Sequence, residues 1–208
     1  MSRKDLIKRY VSNFDKLKSN TKKALLKDLE SFGYSILEKL VKKKAHVVIL
    51  PRNQKFTELE DYAHLKNKKF DIPGYGKHKF YKTFDEVRGW GGNPTVIGEE
   101  WVLANDKHIF NVVRHEIAHQ IHGNVLNTKV LKKIHKSFVD AREGKHFIRK
   151  NSSINEFEYF ADGVAFYFNK SKSKKISIFD MSQICNRKLL FDKDKTLYNI
   201  VNDIFVRK

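Results

Sequence analysis

The segment Asn111–Gly123, NVVRHEIAHQIHG, constrains this chain more than any other stretch. Val112, Val113, Ile117, Ala118 and Ile121, with Ile109 and Phe110 before them, recur at helical spacing and predict a buried helix, opened by Asp106 as its cap and closed by Gly123. On such a helix His115 and His119, four residues apart, share a face with Cβ atoms roughly 5–6 Å apart. Both imidazoles therefore reach one tetrahedral ion at about 2.0–2.1 Å. Glu116, next to the first imidazole, is placed to take a proton from a metal-bound water, whose pKa a catalytic zinc lowers to about 7. A histidine pair on a buried helix is also found as a plain hydrogen-bonded core feature, so the metal reading depends on a third ligand.

A metzincin would carry glycine at position 122 and histidine at position 125, where this chain has His122 and Val125, so that class is excluded. His122, three residues past His119, is within reach of the metal or substrate, and a place beside the ligands or at the surface is the favoured reading. Downstream, Asn155–Asp162, NEFEYFAD, predicts a second helix, with Ser153 and Glu156 spaced as a capping box. Glu158 lies inside it and Asp162 is one turn later on the same face. That is the arrangement of a glutamate zincin: Glu158 completes a zinc site with His115 and His119, and Asp162 receives the other N–H of a liganding imidazole. A solvated acidic stripe fits poorly beside Phe157, Phe160, Ala161, Val164 and Ala165.

The remainder reads as one unit without repeats. Leu6, Ile7, Tyr10, Phe14 and Leu17 predict one helix, and Ala24 or Leu25, Leu29, Phe32, Ile36, Leu37 and Leu40 a second, with Thr21 as the cap between them. His46–Leu50, ended by Pro51, reads as a short buried strand, and within the glycine-rich stretch from Phe80 to Leu103 the best strand is Thr95–Leu103. Thr196–Val206 suits a closing helix. Cys185 is the single cysteine, which excludes an internal disulfide and any site built from several thiolates. No apolar run approaches the ~20 residues of a membrane span, and Met1–Tyr10 is charged where a signal peptide is apolar. A protein of the cytoplasm, or one delivered by a non-classical route, is expected.

The net charge of +18 invites a nucleic-acid reading, but residues 56–125, which hold the histidine pair, sum to −1. Of 42 basic residues only 9 are arginine, the side chain that base and phosphate recognition favour. No specific nucleic-acid partner is expected.

Arg88–Pro94 (RGWGGNP), Val113–His119 (VRHEIAH), Asn155–Asp162 and Leu190–Phe205 (LFDKDKTLYNIVNDIF) occur in the order found in the catalytic domain of anthrax lethal factor, the Pro-Pro endopeptidases and related metallopeptidases. The chain resembles that family over about residues 80–208. The resemblance implies an α+β, zincin-like metallopeptidase fold, helix-rich with a small mixed sheet, here one domain over 1–208 with a helical part at 1–45. It implies a Zn2+ endopeptidase with His115, His119 and Glu158 as ligands and Glu116 as base. It further implies an extended protein or peptide substrate, paired along Gly91–Leu103, so that Gly91, Gly92, Val96 and Ile97 would touch it. A monomer without a membrane partner is expected. One position departs from the family, which usually has an oxyanion-stabilising tyrosine seven residues before the ligand glutamate. Here that position is Asn151. Asn151 itself, His146 or, least suitably, Tyr159 would have to replace it. Two other readings stay open: a zinc-binding, feebly active protein that recognises a partner, and a regulatory protease of mobile elements. The 39 residues from His119 to Glu158 are long for the latter.

Overall fold

The computed structural model describes residues 2–71, 81–104, 110–169 and 186–206; Phe80, Asp106, Ile109 and Cys185 lie outside these segments. The N-terminal region forms three helices rather than two: α1 (Arg3–Tyr10), α2 (Ser19–Phe32) and α3 (Tyr34–Lys42). The apolar stripe from Leu25 to Leu40 does run on, but Gly33 between α2 and α3 has φ 79° and ψ 157°, backbone that only glycine adopts cheaply. The break lets both helices bury their stripes, with Leu25, Leu29, Leu37 and Leu40 at or near zero exposure. Thr21 is not a cap. It sits inside α2, buried, and its hydroxyl donates to Glu99 Oε1 at 2.8 Å.

Three strands make one sheet: β1 (Val47–Leu50), β2 (Gly89–Trp90) and β3 (Thr95–Gly98), in the order β1-β3-β2. β1 runs parallel to β3 with Val47 opposite Thr95, and β2 antiparallel with Gly89 opposite Ile97. The strand expected to reach Leu103 stops at Gly98, where α4 (Glu99–Ala104) begins. Glu99 and Glu100 in its first turn suit the positive end of a helix. Glu100 is moreover held by Arg88, whose Nε lies 2.6 Å from Oε1.

Helix α5 (Val112–Asn124) is capped by Asn111, which accepts from the Arg114 amide at 2.9 Å. α6 (Thr128–Glu143) precedes a short turn at Asn151–Ser153, and α7 (Glu156–Phe168) follows it. The cap of α7 is Asn155, accepting from the Glu158 amide at 2.9 Å. Ser153, expected in that place, instead closes the preceding turn with its hydroxyl on the Lys150 carbonyl. α8 (Arg187–Lys193) and α9 (Lys195–Val206) end the described chain.

The main core lies where α5 packs on α7, joining Val113, Ile117 and Ala118 to Phe160, Ala161 and Val164. Each fully buried large side chain there contributes about 1.5–3 kcal/mol, so the two helices that carry the candidate ligands are also the best anchored. Ile97 faces this core. Val96, on the other face of β3, joins a smaller cluster with Phe56, Tyr62 and Val87. Among the described residues no helix is long and apolar enough to cross a membrane.

Candidate metal centre

One helix supplies two imidazoles and its neighbour one carboxylate. His115 Nε2 lies 3.2 Å from His119 Nε2 and 3.3 Å from Glu158 Oε2, and His119 Nε2 lies 3.2 Å from Glu158 Oε1. An ion about 2.0–2.1 Å from each of three tetrahedral ligands spaces them about 3.3–3.4 Å apart. The two imidazole nitrogens have that spacing, each has one Glu158 oxygen within 3.3 Å, one donor atom from each residue lies within 4.8 Å of the others, and two imidazoles with a carboxylate are a set zinc takes. All three side chains are largely buried at the α5–α7 interface.

The surrounding groups prepare the donors. His115 Nδ1 stands 3.1 Å from Asp162 Oδ1, which favours the N–H on Nδ1 and leaves the lone pair of Nε2 for a metal. Asp162, fully buried, also accepts from Ser152 Oγ at 2.7 Å and from Arg149 Nη1 at 3.1 Å. Without metal, burial works against a charged His115, but the Glu158 and Asp162 carboxylates overcome it and raise the imidazole to about 10. Burial likewise works against ionised Glu158, and the two histidines hold it well below the carboxylate range. Glu116 is raised by burial, with His115 and His119 opposing.

Two glycines of the Arg88–Pro94 segment are explained by space. A Cβ on Gly89 would lie 2.7 Å from Glu116 Oε1, and one on Gly91 would lie 2.6 Å from His119 Cγ. The Gly89–Gly91 segment therefore lies directly on α5 at Glu116 and His119. Gln120, one residue past His119, ties the helix to it by donating to the carbonyls of His46 at 2.8 Å and Gly92 at 3.3 Å.

A cavity of about 640 Å³ opens over the three candidate ligands and Glu116, and Gly91, Gly92 and Asn151 line it. Aromatic side chains, among them Trp90, Trp101, Phe110 and Phe157, form much of the rest. Three expectations are corrected. Val96 and Ile97 belong to the central strand, paired on both edges and fully buried, and neither lines the cavity; Gly89 and Trp90 of the edge strand β2 do. His146 is exposed beyond the end of α6, folded back beside Gly144, and does not line the cavity. His122 is buried between the rings of Phe157 at 4.4 Å and Phe160 at 5.5 Å, and burial lowers it to about 4, so it is neither a surface group nor part of the cavity wall. Tyr159 points away from the ligands: its hydroxyl bonds Asp194 and Ser137.

The sequence reading passed over Arg149 and Tyr81, both on the cavity wall. Burial pushes the Tyr81 phenol up to about 12, so it stays protonated. Neither belongs to a motif, and one arginine does not stand out among 42 basic residues.

Comparison with known proteins bears on this geometry. The family model described as anthrax toxin lethal factor, N- and C-terminal domain, matches residues 3–177. It thus reaches well before the stretch that carries the motifs. Among solved structures, the Pro-Pro endopeptidase PPEP-2 from Paenibacillus alvei is similar over 96% of this chain and 100% of its own, with a TM-score of 0.62 at 18% sequence identity. No protein of curated function gives a significant sequence match. The fold is accordingly the α+β, zincin-like one, helix-rich with a small mixed sheet.

Proposed function

We propose, since the chain belongs to the anthrax toxin lethal factor family, that it is a zinc-dependent endopeptidase of the HExxH-plus-glutamate type. The observation that carries this reading is the cluster of His115, His119 and Glu158, the imidazole nitrogens 3.2 Å apart and each within 3.3 Å of one carboxylate oxygen, beside the buried Glu116. These three side chains would hold the metal. Zinc, when bound, supplies the Lewis acidity that makes water a nucleophile at neutral pH. Glu116 accepts the proton of that water and returns it to the departing amine, a task favoured by a carboxylate raised towards neutrality by burial. Asp162 keeps His115 in the tautomer that leaves Nε2 unprotonated. An extended protein or peptide substrate pairs along the edge strand β2 and the Gly91–Gly92 segment after it, where the cavity opens.

A second reading, a zinc-binding protein with feeble turnover that serves to recognise a partner, has one observation in its favour: Asn151, in place of the family's tyrosine, lines the cavity with an amide rather than a phenol. Losing one oxyanion donor costs about 10²- to 10³-fold in rate. Elemental analysis after zinc titration tests what both readings share. One zinc per chain is expected in the wild type and much less in His115→Ala and Glu158→Ala; equal zinc in all three would refute the site.

A further inference from the structure

We propose that Arg149 is a substrate clamp: its guanidinium hydrogen-bonds a main-chain carbonyl of a peptide lying in the cavity beside the metal ligands. The inference rests on the endopeptidase reading and adds a residue outside both ligand helices.

Arg149 is held from two directions. Its Nη1 donates to Asp162 Oδ1 at 3.1 Å, and its Cζ lies 4.3 Å from the centroid of the Phe110 ring, which is itself 5.2 Å from the imidazole of His115. The side chain keeps 14% of its surface open and lines the cavity that His115 and Glu158 line. A guanidinium has five N–H donors in its plane. Phe110 meets the guanidinium through a ring contact at Cζ rather than as a hydrogen-bond acceptor, and the hydrogen bond to Asp162 uses Nη1 alone among the described residues. In-plane donors thus remain for an acceptor in the cavity. Asp162 is already shared between Arg149, Ser152 and His115, so the arginine is fixed but not consumed by its partner.

A peptide entering this space needs such a donor. Much of the wall is aromatic, with Trp101, Phe110 and Phe157 on it, and a carbonyl that loses its water there without a new partner is costly. A stacked, tethered arginine meets it with little side-chain entropy left to lose and with permanent charge. The polar wall beside it continues with Asn151 and Asn155.

The competing role is purely structural, with Arg149 serving only to hold Asp162. Two zinc-directed probes separate the roles: acetohydroxamate, a metal-binding head alone, and a succinyl hydroxamate with the same head on a leucyl-alaninamide backbone. Both are titrated calorimetrically into zinc-loaded wild type, Arg149→Met and Arg149→Lys, with zinc content and unfolding temperature recorded for each. The wild type is expected to bind the peptidyl probe more tightly than the head alone. Arg149→Met should weaken the peptidyl probe about 10- to 100-fold, the scale of one charged hydrogen bond, while acetohydroxamate affinity and zinc content stay unchanged. If the methionine variant does not fold, the lysine variant, which keeps the charge but not the fork, carries the test with the same selective loss. An unchanged peptidyl affinity in the variants, or equal affinity of wild type for both probes, would overturn the clamp. Parallel loss of both probes with loss of zinc would establish the structural role instead. A wild type that binds zinc and neither probe would overturn the proposal through the site, and one that binds no zinc would overturn the endopeptidase reading on which it rests.

Discussion

Gly91→Ala should damage the metal centre although position 91 supplies no ligand. The added Cβ would stand 2.6 Å from His119 Cγ and 2.7 Å from its Cβ, so reaching ordinary carbon contact requires a retreat of about 0.8 Å or more. Because the His119 Cβ is itself struck, turning the ring does not relieve the overlap. Either α5 or β2 must move, and the amide of Gln120 holds both together at the His46 and Gly92 carbonyls. A shift of this size is several times the roughly 0.2 Å tolerance on a zinc–ligand distance. Zinc affinity should fall about 100-fold or more, and at zinc concentrations that saturate the wild type this removes about 2.7 kcal/mol of metal-linked stability. Competition with a chromophoric chelator reads the affinity, and thermal unfolding with and without zinc reads the linkage. Gly123→Ala is the control on the same helix: nothing lies within 4 Å of its new Cβ. It should leave zinc affinity unchanged and stabilise the helix by about 0.5–1 kcal/mol. Wild-type zinc affinity in Gly91→Ala would refute the close strand-to-helix contact at His119.

The pH dependence of stability should differ with and without metal. His115, raised from 6.5 to about 10 in the metal-free protein by Glu158 and Asp162, holds a proton in the folded state that the unfolded chain releases. Its contribution to stability is therefore complete below about pH 6.5 and lost as pH rises towards 10. Zinc must displace that proton, so its affinity should rise across the same interval; parallel unfolding-temperature slopes for the two forms would contradict this. In a wild type that cleaves peptides, Asn151→Tyr should raise kcat by up to about 10²-fold with little change in KM. His146→Ala should change neither constant, because His146 is exposed and off the cavity wall. A kcat insensitive to Asn151→Tyr would show that the oxyanion pocket is not at this turn.

The ligand helices were legible because their chemistry and their burial share one period. His115 and His119 repeat every four residues, as do the apolar residues that bury α5, and Glu158 and Asp162 repeat this on α7. The helix break at Gly33 was not, since the apolar stripe runs unbroken through it and only the backbone angle marks the turn. The strand at Thr95 was overextended because Trp101, Val102 and Leu103 form an apolar run that fits strand or helix equally. Strand order was hidden for a different reason: β3 becomes central only through its pairing with Val47–Leu50, far away in the chain. That pairing puts Val96 and Ile97 at the centre of the sheet and leaves Gly89 and Trp90 on an edge strand beside the cavity. Arg149 was invisible because its importance arises from the Phe110 ring and the Asp162 carboxylate, contacts that no local pattern announces.

The most direct test of peptide hydrolysis by this site compares zinc-loaded wild type with zinc-loaded Glu116→Gln on a whole proteome, reading the new N termini by mass spectrometry. The amide is close in shape to the carboxylate and does not accept the proton, so both proteins should carry equal zinc. New N termini should accumulate with the wild type alone, sharing a common sequence around the cleaved bond. The same N termini at the same rate from both proteins, or none from a wild type with full zinc, would contradict the account.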